Sequence, residues 1–343
     1  MNLSNVAKIL MIRTDRIGDV VLSLPMLPVL KEKFPKASIS VMVRPYTQTL
    51  VNHHPDVDEV LLWEPEGRRT FFESVSWIRK KRFDIAILPY PRFNLALLMF
   101  LAGIPFRVGT GYRWYSFFFN RKIYEHRKDG RKHEVEYNLN LLSTIGVEIP
   151  LHPTFDFEVP EQIRESIDSF LSTVGLDGED FVVLHPGSGG SARDWPLENF
   201  ARLGDELTAR YGLKAVITGG TNEIALVDSI VKKMSSAPVN LAGKFSLEEL
   251  GALYTKASVF VSNSTGPLHI AALVGTPVVA FYPPIVQCSP VRWGPYTEKK
   301  IVFIADNKTC KLCHGSPCRS NVCMQQITVE EVVLAVHTLI GSS

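Results

Sequence analysis

Short runs of apolar residues alternate with amphipathic segments along the whole length of the chain. In the first half the apolar runs predict four strands, at Val6–Ile12, Ile39–Val43, Val57–Leu62 and Ile85–Leu88. The segments between these strands predict helices over Val20–Phe34 and Phe71–Lys81. Because the apolar runs lack polar alternation, they fit strands that are covered on both faces.

The second half repeats this alternation. Its apolar runs predict strands at Phe181–Leu184, Ala215–Thr218, Val239–Leu241, Val259–Val261 and Val278–Phe281. Its amphipathic segments predict helices over Glu198–Tyr211, Asn222–Met234, Leu247–Thr255 and Leu268–Val274. Strands that alternate with helices form parallel sheets with right-handed crossovers, and here the pattern occurs twice. The predicted fold class is therefore α/β, with two doubly wound parallel sheets.

The boundary between the two sheets is predicted within residues 147–178, a charged stretch that contains one candidate linking helix. Pro150, Pro153 and Pro160 punctuate this stretch, and a chain of 343 residues is long enough for two domains. We therefore expect a first domain over residues 1–160 and a second over residues 161–343.

The composition narrows the class of protein. The chain is 45% hydrophobic and 21% charged, which excludes a wholly disordered protein. The formal net charge of +2 argues against a dedicated nucleic-acid-binding protein. The charge is nevertheless uneven: residues 1–160 carry 22 Lys and Arg against 17 Asp and Glu, and the remainder carries 15 against 18. This asymmetry favours two domains with different partners.

Neither an export signal nor a membrane span is predicted. The first apolar run, Ile9–Ile12, is followed at once by Arg13 and is too short for a signal peptide. The uncharged stretch Phe93–Phe106 is shorter than the roughly 20 residues that cross a bilayer. A longer stretch without charged residues, Ala257–Val291, is broken by several glycines and prolines and fits a buried strand, helix and strand. We therefore expect a cytoplasmic protein.

The turn after the first strand carries candidate chemistry in the sequence Arg-Thr-Asp-Arg-Ile-Gly-Asp from residue 13 to residue 19. Asp19 falls where a helix begins, so it is either a capping or first-turn acid that complements the helix dipole, or a general base. Asp15 is its nearest competitor, and we expect it to pair with Arg13 or Arg16. The turn lacks the G-x-G-x-x-G pattern, so it is not a dinucleotide-binding fingerprint.

Four turns in the second half are rich in small and polar residues. They cover residues 185–190, with Arg193 shortly after, and residues 218–223, 242–246 and 262–269. Small residues let backbone N–H groups face an anion, and an arginine pairs bidentately with phosphate. A carboxylate at Glu223 can accept both hydroxyls of a ribose, although a first-turn helix acid is the alternative interpretation. Four such turns in successive strands indicate a site for a nucleotide diphosphate.

Residues 107–133 form a basic and aromatic stretch, with eight Lys and Arg against two acids and seven tyrosine, tryptophan and phenylalanine side chains. Aromatic residues beside cations suit a lipid–water interface or an anionic glycolipid. The alternative is an ordinary surface with solvated charges. Nucleic acid is not expected, because no RNA-binding motif accompanies the stretch.

Four cysteines near the C-terminus, Cys310, Cys313, Cys318 and Cys323, have the ligand count of a structural zinc site. The second pair is spaced too widely for a standard zinc ribbon. A structural zinc or iron–sulfur centre, a redox disulfide and reduced structural thiols all remain open, and we favour the thiols. No Asp-x-Asp pair stands at a strand end to hold Mg²⁺.

Several of these segments combine into one pattern. They are Ile12-Arg13, residues 16–21, Leu24-Pro25, residues 185–188, Arg193, Trp195-Pro196, Gly219-Gly220, Glu223 and residues 265–272. With these motifs the sequence resembles glycosyltransferase family 9, which holds the ADP-heptose:lipopolysaccharide heptosyltransferases, from Lys8 to about Ile340. The resemblance implies a GT-B type fold, in which two Rossmann-like domains face a central cleft. It does not imply a metal at the cysteines.

The resemblance also implies roles for individual residues. The acid of the G-D-V turn, here Asp19, is implied to be the catalytic base. The basic residue before the Trp-Pro pair contacts the donor diphosphate; it is usually lysine and is Arg193 here. The acid after the paired glycines, Glu223, is implied to contact the ribose. One departure is Ser264, which stands where the family often has an aspartate, and with Arg193 it suggests a divergent branch.

The resemblance thus implies an inverting, metal-independent glycosyltransferase that moves a heptose or related sugar from a nucleotide sugar, with ADP-heptose the leading donor. The acceptor is expected to be a lipopolysaccharide core or another lipid-linked glycan, met at the inner face of the cytoplasmic membrane. Acceptor contacts are expected from Arg16, Arg113, Arg121 and Lys122. Donor contacts are expected from Ser188, Gly189, Arg193, Glu223, Asn263, Thr265, Gly266 and His269. The alternative is a non-catalytic module of the same fold that binds a nucleotide or glycolipid, and no cofactor is expected for either.

Overall fold

The computed structural model describes residues 3–64, 67, 69–190, 192–306 and 322–341. The chain divides into two compact units: Met1–Arg127 with Lys132–Glu158, and Lys128–Arg131 with Val159–Ser343. The main division therefore falls at Glu158/Val159, beside the Pro160 at which the sequence analysis ended its first domain.

The first unit is built around a parallel sheet. Its strands are β1 (Lys8–Ile12), β2 (Ser38–Val43), β3 (Glu59–Leu62), β4 (Ile85–Ile87), β5 (Phe106–Thr110) and β6 (Arg121–Ile123). Its helices are α1 (Ile17–Val21), α2 (Met26–Lys33), α3 (Phe71–Lys81), α4 (Phe93–Leu101) and α5 (Glu134–Asn140). The described strands lie in the order β3-β2-β1-β4-β5-β6, and every pair is parallel.

The second unit repeats this plan. Its strands are β7 (Phe181–His185), β8 (Lys214–Ile217), β9 (Val239–Asn240), β10 (Val259–Asn263), β11 (Val278–Tyr282) and β12 (Lys300–Ile304). Its helices are α6 (Glu161–Thr173), α7 (Leu197–Tyr211), α8 (Ile224–Val231), α9 (Leu247–Lys256), α10 (Gly266–Leu273), α11 (Pro290–Trp293) and α12 (Val329–Ile340). The order β9-β8-β7-β10-β11-β12 matches that of the first sheet strand for strand. The predicted α/β class with two parallel sheets is confirmed.

The sequence-based helix over Val20–Phe34 is wrong in one respect. The structure breaks it into α1 and α2, with Leu22–Pro25 between them. The hydroxyl of Ser23 donates to the carbonyl of Val20 at 2.7 Å, and Pro25 has no N–H with which to continue the first helix. The interruption turns the chain sharply just after Asp19, so α1 is one short turn of helix that carries the acid.

Parallel strands end at one edge of their sheet, so the turns after β1 and β4, and those after β7 and β10, lie side by side within their units. These are the points at which the strand order reverses, where open α/β sheets bind their ligands. β7 and β10 are buried at every position, and the core of the second unit includes Val182, Leu184, Phe200 and Val261. The sheets thus give the turns rigid supports. Among the described residues, no helix is long and apolar enough to cross a membrane.

Candidate functional site

The turn after β1 is organised by a fully buried arginine. The guanidinium of Arg13 donates to Oδ1 of Asp19 at 2.8 Å and to the Asp19 carbonyl at 3.0 Å. It also lies 3.3 Å from the carboxylate of Asp15 and 3.4 Å from that of Glu134. Arg13 therefore fixes three carboxylates from two parts of the chain around one positive charge. Asp15 was predicted to pair with Arg13 or Arg16, and the structure shows the pair with Arg13.

Asp19 is the third residue of α1, and its second carboxylate oxygen accepts a long hydrogen bond of 3.4 Å from the N–H of Arg16. The first-turn position predicted from the sequence is therefore confirmed. With one oxygen fixed by Arg13, the carboxylate is held in a single orientation at the carboxyl edge of the sheet. This geometry suits a group that must meet a substrate hydroxyl in a defined direction, and the role of base stays a prediction.

Asp15 has a different environment in the same turn. Burial raises the pKa of its carboxyl to about 6, although the nearby guanidinium of Arg13 opposes the shift. Removing a carboxylate from water disfavours its charged form. Asp15 is thus a second acid of this turn with an altered proton affinity, and the sequence pattern gave no sign of this.

Arg127 belongs to this cluster rather than to an open surface. It forms an ion pair with Glu134, donates to the side chain of Asn138 at 3.1 Å and donates to the carbonyl of Tyr137 at 3.1 Å. The amide of Asn138 in turn donates to the carbonyl of Leu22 at 2.9 Å. Within the basic stretch, Arg127 therefore ties α5 to the turn that carries Asp19, and it cannot be counted among the solvated cations.

In the second unit, the turns after β7 and β8 meet at a carboxylate. Oε2 of Glu223 accepts a hydrogen bond from the N–H of Gly220 at 2.8 Å and lies 3.8 Å from Nε2 of His185. A Cβ placed on Gly187 would lie 1.9 Å from Oε1 of Glu223. The glycine at position 187 therefore leaves the space into which the Glu223 side chain folds.

His185 supports this arrangement from the buried side. Its Nδ1 lies 2.9 Å from the hydroxyl of Thr218, the residue that follows β8. Burial lowers the pKa of His185 to about 4, while the carboxylate of Glu223 acts in the opposite direction. The imidazole is thus neutral near pH 7, and it holds the turns after β7 and β8 together without adding a charge.

Asn263, at the end of β10, joins two turns. Its amide nitrogen donates to the carbonyl of Pro186 at 2.6 Å, and its amide oxygen accepts from the N–H of Trp195 at 2.8 Å. The indole of Trp195 is fully buried and donates to the carbonyl of Ile327 at 2.8 Å. The structure therefore shows Asn263 as a residue that fixes the chain on both sides of Arg193, and a direct contact with a donor stays a prediction.

The other predicted donor residues lie in these same turns. Ser188 is buried and Gly189 has a positive φ of 55° in the turn after β7. Thr265 precedes the first residue of α10, Gly266, and His269 is buried one turn further along that helix. The turns after β7 and β10 are neighbours at the edge of the sheet because β7 and β10 pair directly. The structure thus brings these residues to one edge of one sheet.

The turn at 242–246 differs from the other three. It is shaped by Gly243, which has a φ of 70°, and by Ser246, whose hydroxyl caps α9.

Asp194, beside Arg193, was not singled out from the sequence. Burial raises the pKa of Asp194, a hydrogen bond from Ser188 opposes this shift, and the charge of Glu223 adds to it. Asp194 thus shares the surroundings of the predicted donor residues.

The predicted acceptor residues lie in the first unit. Arg16 is exposed just before α1 and Arg113 is exposed after β5. Arg121 and Lys122 are half-buried on the edge strand β6, and the guanidinium of Arg121 lies 5.2 Å from the centre of the Phe106 ring. Arg16 is therefore the one of these four that directly flanks Asp19 in sequence and in the turn.

The sequence and the structure offer two groups of candidate metal ligands. Cys310, Cys313 and Cys318 lie outside the described residues, and Cys323 is buried in the core of the second unit. Within the described part of the chain, the donor atoms of His54, Asp56 and Asp156 lie within 4.8 Å of one another. There the N–H of Asp56 donates to Nδ1 of the histidine at 3.2 Å, which places the neutral ring's proton on Nε2. The group is not suited to coordination through Nε2.

The chain is similar to known glycosyltransferases along most of its length. A family model described as glycosyltransferase family 9 (heptosyltransferase) matches residues 73–323. The chain is 26% identical over 336 residues to lipopolysaccharide heptosyltransferase 3 of Escherichia coli, a match that covers 95% of this chain and 97% of that protein.

Two solved structures share the fold. The glycosyl transferase family 9 structure from Veillonella parvula matches with a TM-score of 0.86 and 26% identity, over 100% of this chain and 99% of the other. The Escherichia coli ADP-heptose lps heptosyltransferase II matches with a TM-score of 0.80 and 24% identity, over 98% and 99%. These likenesses confirm the GT-B fold class implied by the sequence motifs.

Proposed function

Because the chain belongs to glycosyltransferase family 9, the heptosyltransferase family, and is therefore a glycosyltransferase, we propose that it transfers a heptose from ADP-heptose. The acceptor in this proposal is a lipopolysaccharide core or another lipid-linked glycan. The family match and the names of the relatives support the sugar and the class of acceptor. Family membership favours the enzyme over a non-catalytic binding module.

The observation that carries the proposal is the carboxylate of Glu223 at the edge of the second sheet. Gly187 and Gly220 leave room for it and position it, and His185 and Thr218 hold the two turns around it. A carboxylate fixed in this way can accept both hydroxyls of a ribose. The ribose of a nucleotide donor would then sit beside the turns after β7 and β8, with its diphosphate toward Arg193, Ser188, Gly189, Thr265, Gly266 and His269.

The proposed reaction is a single displacement with inversion. The acceptor hydroxyl oxygen forms a bond to the anomeric carbon of the heptose, and the bond from that carbon to the diphosphate oxygen breaks. The electron pair of the broken bond leaves with ADP, and the hydroxyl proton passes to the carboxylate of Asp19. A hydroxyl is a poor nucleophile until a base takes its proton, and Arg13 keeps that base in one orientation.

The departing diphosphate needs positive charge nearby. In the proposal, Arg193 and the backbone N–H groups of the turns at 188–190 and 265–266 supply it, as preorganised donors do for other developing anions. This would make the enzyme independent of a divalent metal. Arginine suits the task because its planar fork of donors matches phosphate oxygens.

The acceptor is proposed to bind to the first unit. Arg16 borders the turn that carries Asp19, and Arg113, Arg121 and Lys122 add positive charge at the far edge of the same sheet. A phosphorylated glycolipid is attracted by such a surface. The proposal therefore places the enzyme at the inner face of the cytoplasmic membrane, as a peripheral protein.

The test is release of ADP from ADP-heptose by the purified chain, with a heptose-deficient lipopolysaccharide as acceptor. We expect release that requires the acceptor, persists in EDTA and gives a product of inverted anomeric configuration by NMR. UDP- and GDP-sugars serve as donor controls. Tight binding of ADP-heptose without ADP release, across a panel of lipid-linked acceptors, would contradict the proposal and support the binding module.

A further inference from the structure

Four exposed aromatic side chains form a continuous ridge on the first unit. Phe93 and Phe100 lie on α4 and are 41% and 46% exposed, and Trp114 and Phe117 follow β5 and are 74% and 62% exposed. We call these four side chains the aromatic ridge. Exposed aromatic residues that occur singly are common and need no explanation, but a contiguous set marks an interaction surface.

The ridge is held together by ring contacts. Phe93 stacks on Trp114 with ring centres 5.0 Å apart. The buried ring of Phe118 touches the other members, with ring centres 6.0 Å from Phe93, 5.2 Å from Phe100 and 4.3 Å from Phe117. The four exposed rings are thus fixed on one rigid support, the core that α4 and β5 share. They are not four loosely placed side chains.

The chain segment that builds the ridge carries charge of one sign. Residues 85–124 contain no Asp or Glu and contain five cations, Arg92, Arg107, Arg113, Arg121 and Lys122. Arg107 packs over the ring of Phe100 at 5.3 Å, and its side chain donates to the carbonyls of Ile104 and Phe118. Arg92 and Arg113 are exposed at the end of the ridge that holds Phe93 and Trp114. These cations favour a partner that carries negative charge.

The strand register shows which edge cations share the face of the ridge. Lys122 pairs with Gly109, and a Cβ on Gly109 would lie 2.6 Å from the ring of Phe119. Phe119 belongs to the core beneath α4, so Lys122 lies on the α4 face of the sheet. Arg121 is the next residue of the strand and lies on the opposite face, against Phe106.

The ridge also begins beside the predicted catalytic edge. Phe93 opens α4 just after β4, and Trp114 follows the end of β5, so both lie at the carboxyl edge of the sheet that holds Asp19. Phe100 lies at the far end of α4. The ridge therefore runs from the catalytic edge along the outer side of α4.

We propose that the aromatic ridge seats this domain on an anionic lipid bilayer, with its rings in the interfacial region and Arg92, Arg113 and Lys122 against lipid phosphates. This rests on the proposed lipid-linked acceptor and adds the surface that meets the lipid. Aromatic rings prefer the bilayer interface and cations are attracted to its anionic leaflet. Because the contact has an apolar part, binding survives salt that would screen charges alone. The lipid-linked acceptor lies in the same bilayer, so this contact would hold it near the sheet edge that carries Asp19.

The experiment compares vesicle binding by three forms of the full chain. The wild type, the double variant Trp114→Ser/Phe117→Ser and the control Phe72→Ser are sedimented with phosphatidylglycerol-containing vesicles at low and high salt. Phe72 is 75% exposed on α3 of the same unit and lies outside the ridge. We expect the double variant to lose about tenfold or more of its vesicle binding, and the control and wild type to bind alike and to retain binding at high salt.

Trp114 gives a second, local readout. Its fluorescence should shift to the blue when vesicles are added, and the shift should be absent in Trp114→Phe, which keeps an aromatic ring and should keep binding. Equal vesicle binding by the wild type and the double variant would overturn the proposal. A wild-type dimer that becomes a monomer in the double variant would also overturn it, because a second copy of the chain would then cover the ridge.

The test separates this inference from the proposed function. Thermal stabilisation by ADP-heptose and ADP release with a soluble, deacylated acceptor should be unchanged in the double variant. If those activities are absent from the wild type while vesicle binding follows the ridge, the proposed reaction fails and the lipid surface stands. If those activities are present and the double variant binds vesicles as well as the wild type does, the proposed reaction stands and the lipid surface fails.

Discussion

The carboxylate of Glu223 occupies the space that a side chain at position 187 would need. A Cβ on Gly187 would lie 1.9 Å from Oε1 of that carboxylate and 2.3 Å from its carbon, well inside van der Waals contact. The two residues are 36 positions apart, and their contact brings the turn after β7 against the turn after β8.

Gly187→Ala should therefore displace Glu223 and weaken the binding of ADP. The loss of a hydrogen-bonded carboxylate is worth about 1.5–3 kcal/mol, so we expect roughly a 10- to 150-fold rise in the dissociation constant measured by calorimetry. Gly220→Ala is the matched control, because its Cβ would lie 3.6 Å from Oε2 of Glu223, an ordinary contact. Equal effects of the two substitutions would show that the position of Glu223 does not govern donor binding.

Asp19→Asn should lower turnover by about 10²- to 10⁴-fold. The amide can still accept the hydrogen bond from Arg13, so the fold and the affinity for ADP-heptose should be retained. Asp15→Asn is the comparison, because Asp15 lies in the same turn against the same arginine. Steady-state turnover of both variants decides between the two acids, and a larger loss in Asp15→Asn would transfer the role of base to Asp15.

Arg193→Ala should weaken donor binding by about 1.5–3 kcal/mol, the worth of a charge-assisted contact. Arg193→Lys should recover a large part of this, because the charge is kept while the bidentate geometry is lost. Arg210→Ala controls for the change in net charge, since Arg210 pairs with Glu206 and Glu330 at the far end of α7. Calorimetry with ADP in which Arg193→Ala and Arg210→Ala behave alike would rule out a diphosphate contact.

The second unit should lose stability in acid through His185. Its pKa of about 4 in the folded protein lies below the ordinary value of 6.5 because the ring is buried. Between those values the unfolded chain binds a proton that the folded chain does not, so the free energy of unfolding falls as the pH drops from about 6.5 to about 4. The full effect is up to about 3 kcal/mol.

Urea unfolding of the wild type and of His185→Gln at several pH values measures this contribution. The glutamine variant does not titrate at position 185, so the stability advantage of the wild type should shrink as the pH falls through this range. Asp15, whose folded pKa is raised, shifts stability in the opposite direction, but it is present in both proteins and cancels in the difference. A difference that stays constant from pH 7 to pH 4 would contradict the assignment.

The sequence predicted the fold well where strands are buried on both faces. β7, β10 and β11 are buried at every position and mostly apolar, and hydrophobic runs locate such strands directly. The short edge strand β6 was not predicted, because its sequence Arg-Lys-Ile has the polarity of a loop and its pairing depends on β5. The break between α1 and α2 was missed because Met26–Lys33 continues the apolar pattern of the segment before it.

The candidate site was predicted unevenly for a similar reason. Turn chemistry is local, so Asp19 and Glu223 could be singled out from their motifs. The partners that position them come from distant parts of the chain: Glu134 reaches Arg13 across 121 positions, and Asn263 reaches Pro186 across 77. Local patterns carry no information on such contacts. For the same reason, the composition of the basic stretch gives no sign that Arg127 is bound by α5.

The repeated strand order has a consequence for how the chain folds. In each sheet the first three strands add side by side, and the fourth must return to pair with the first. Ile9 pairs with Ile85 in one unit and Val182 with Val259 in the other, at separations of 76 and 77 residues. Bringing together strands this far apart in sequence reduces the conformational entropy of the chain before their contacts can stabilise it. Such non-local pairing slows folding. The central strand pairs of the two units thus span nearly the same sequence separation, so the entropic cost of closing them is nearly the same.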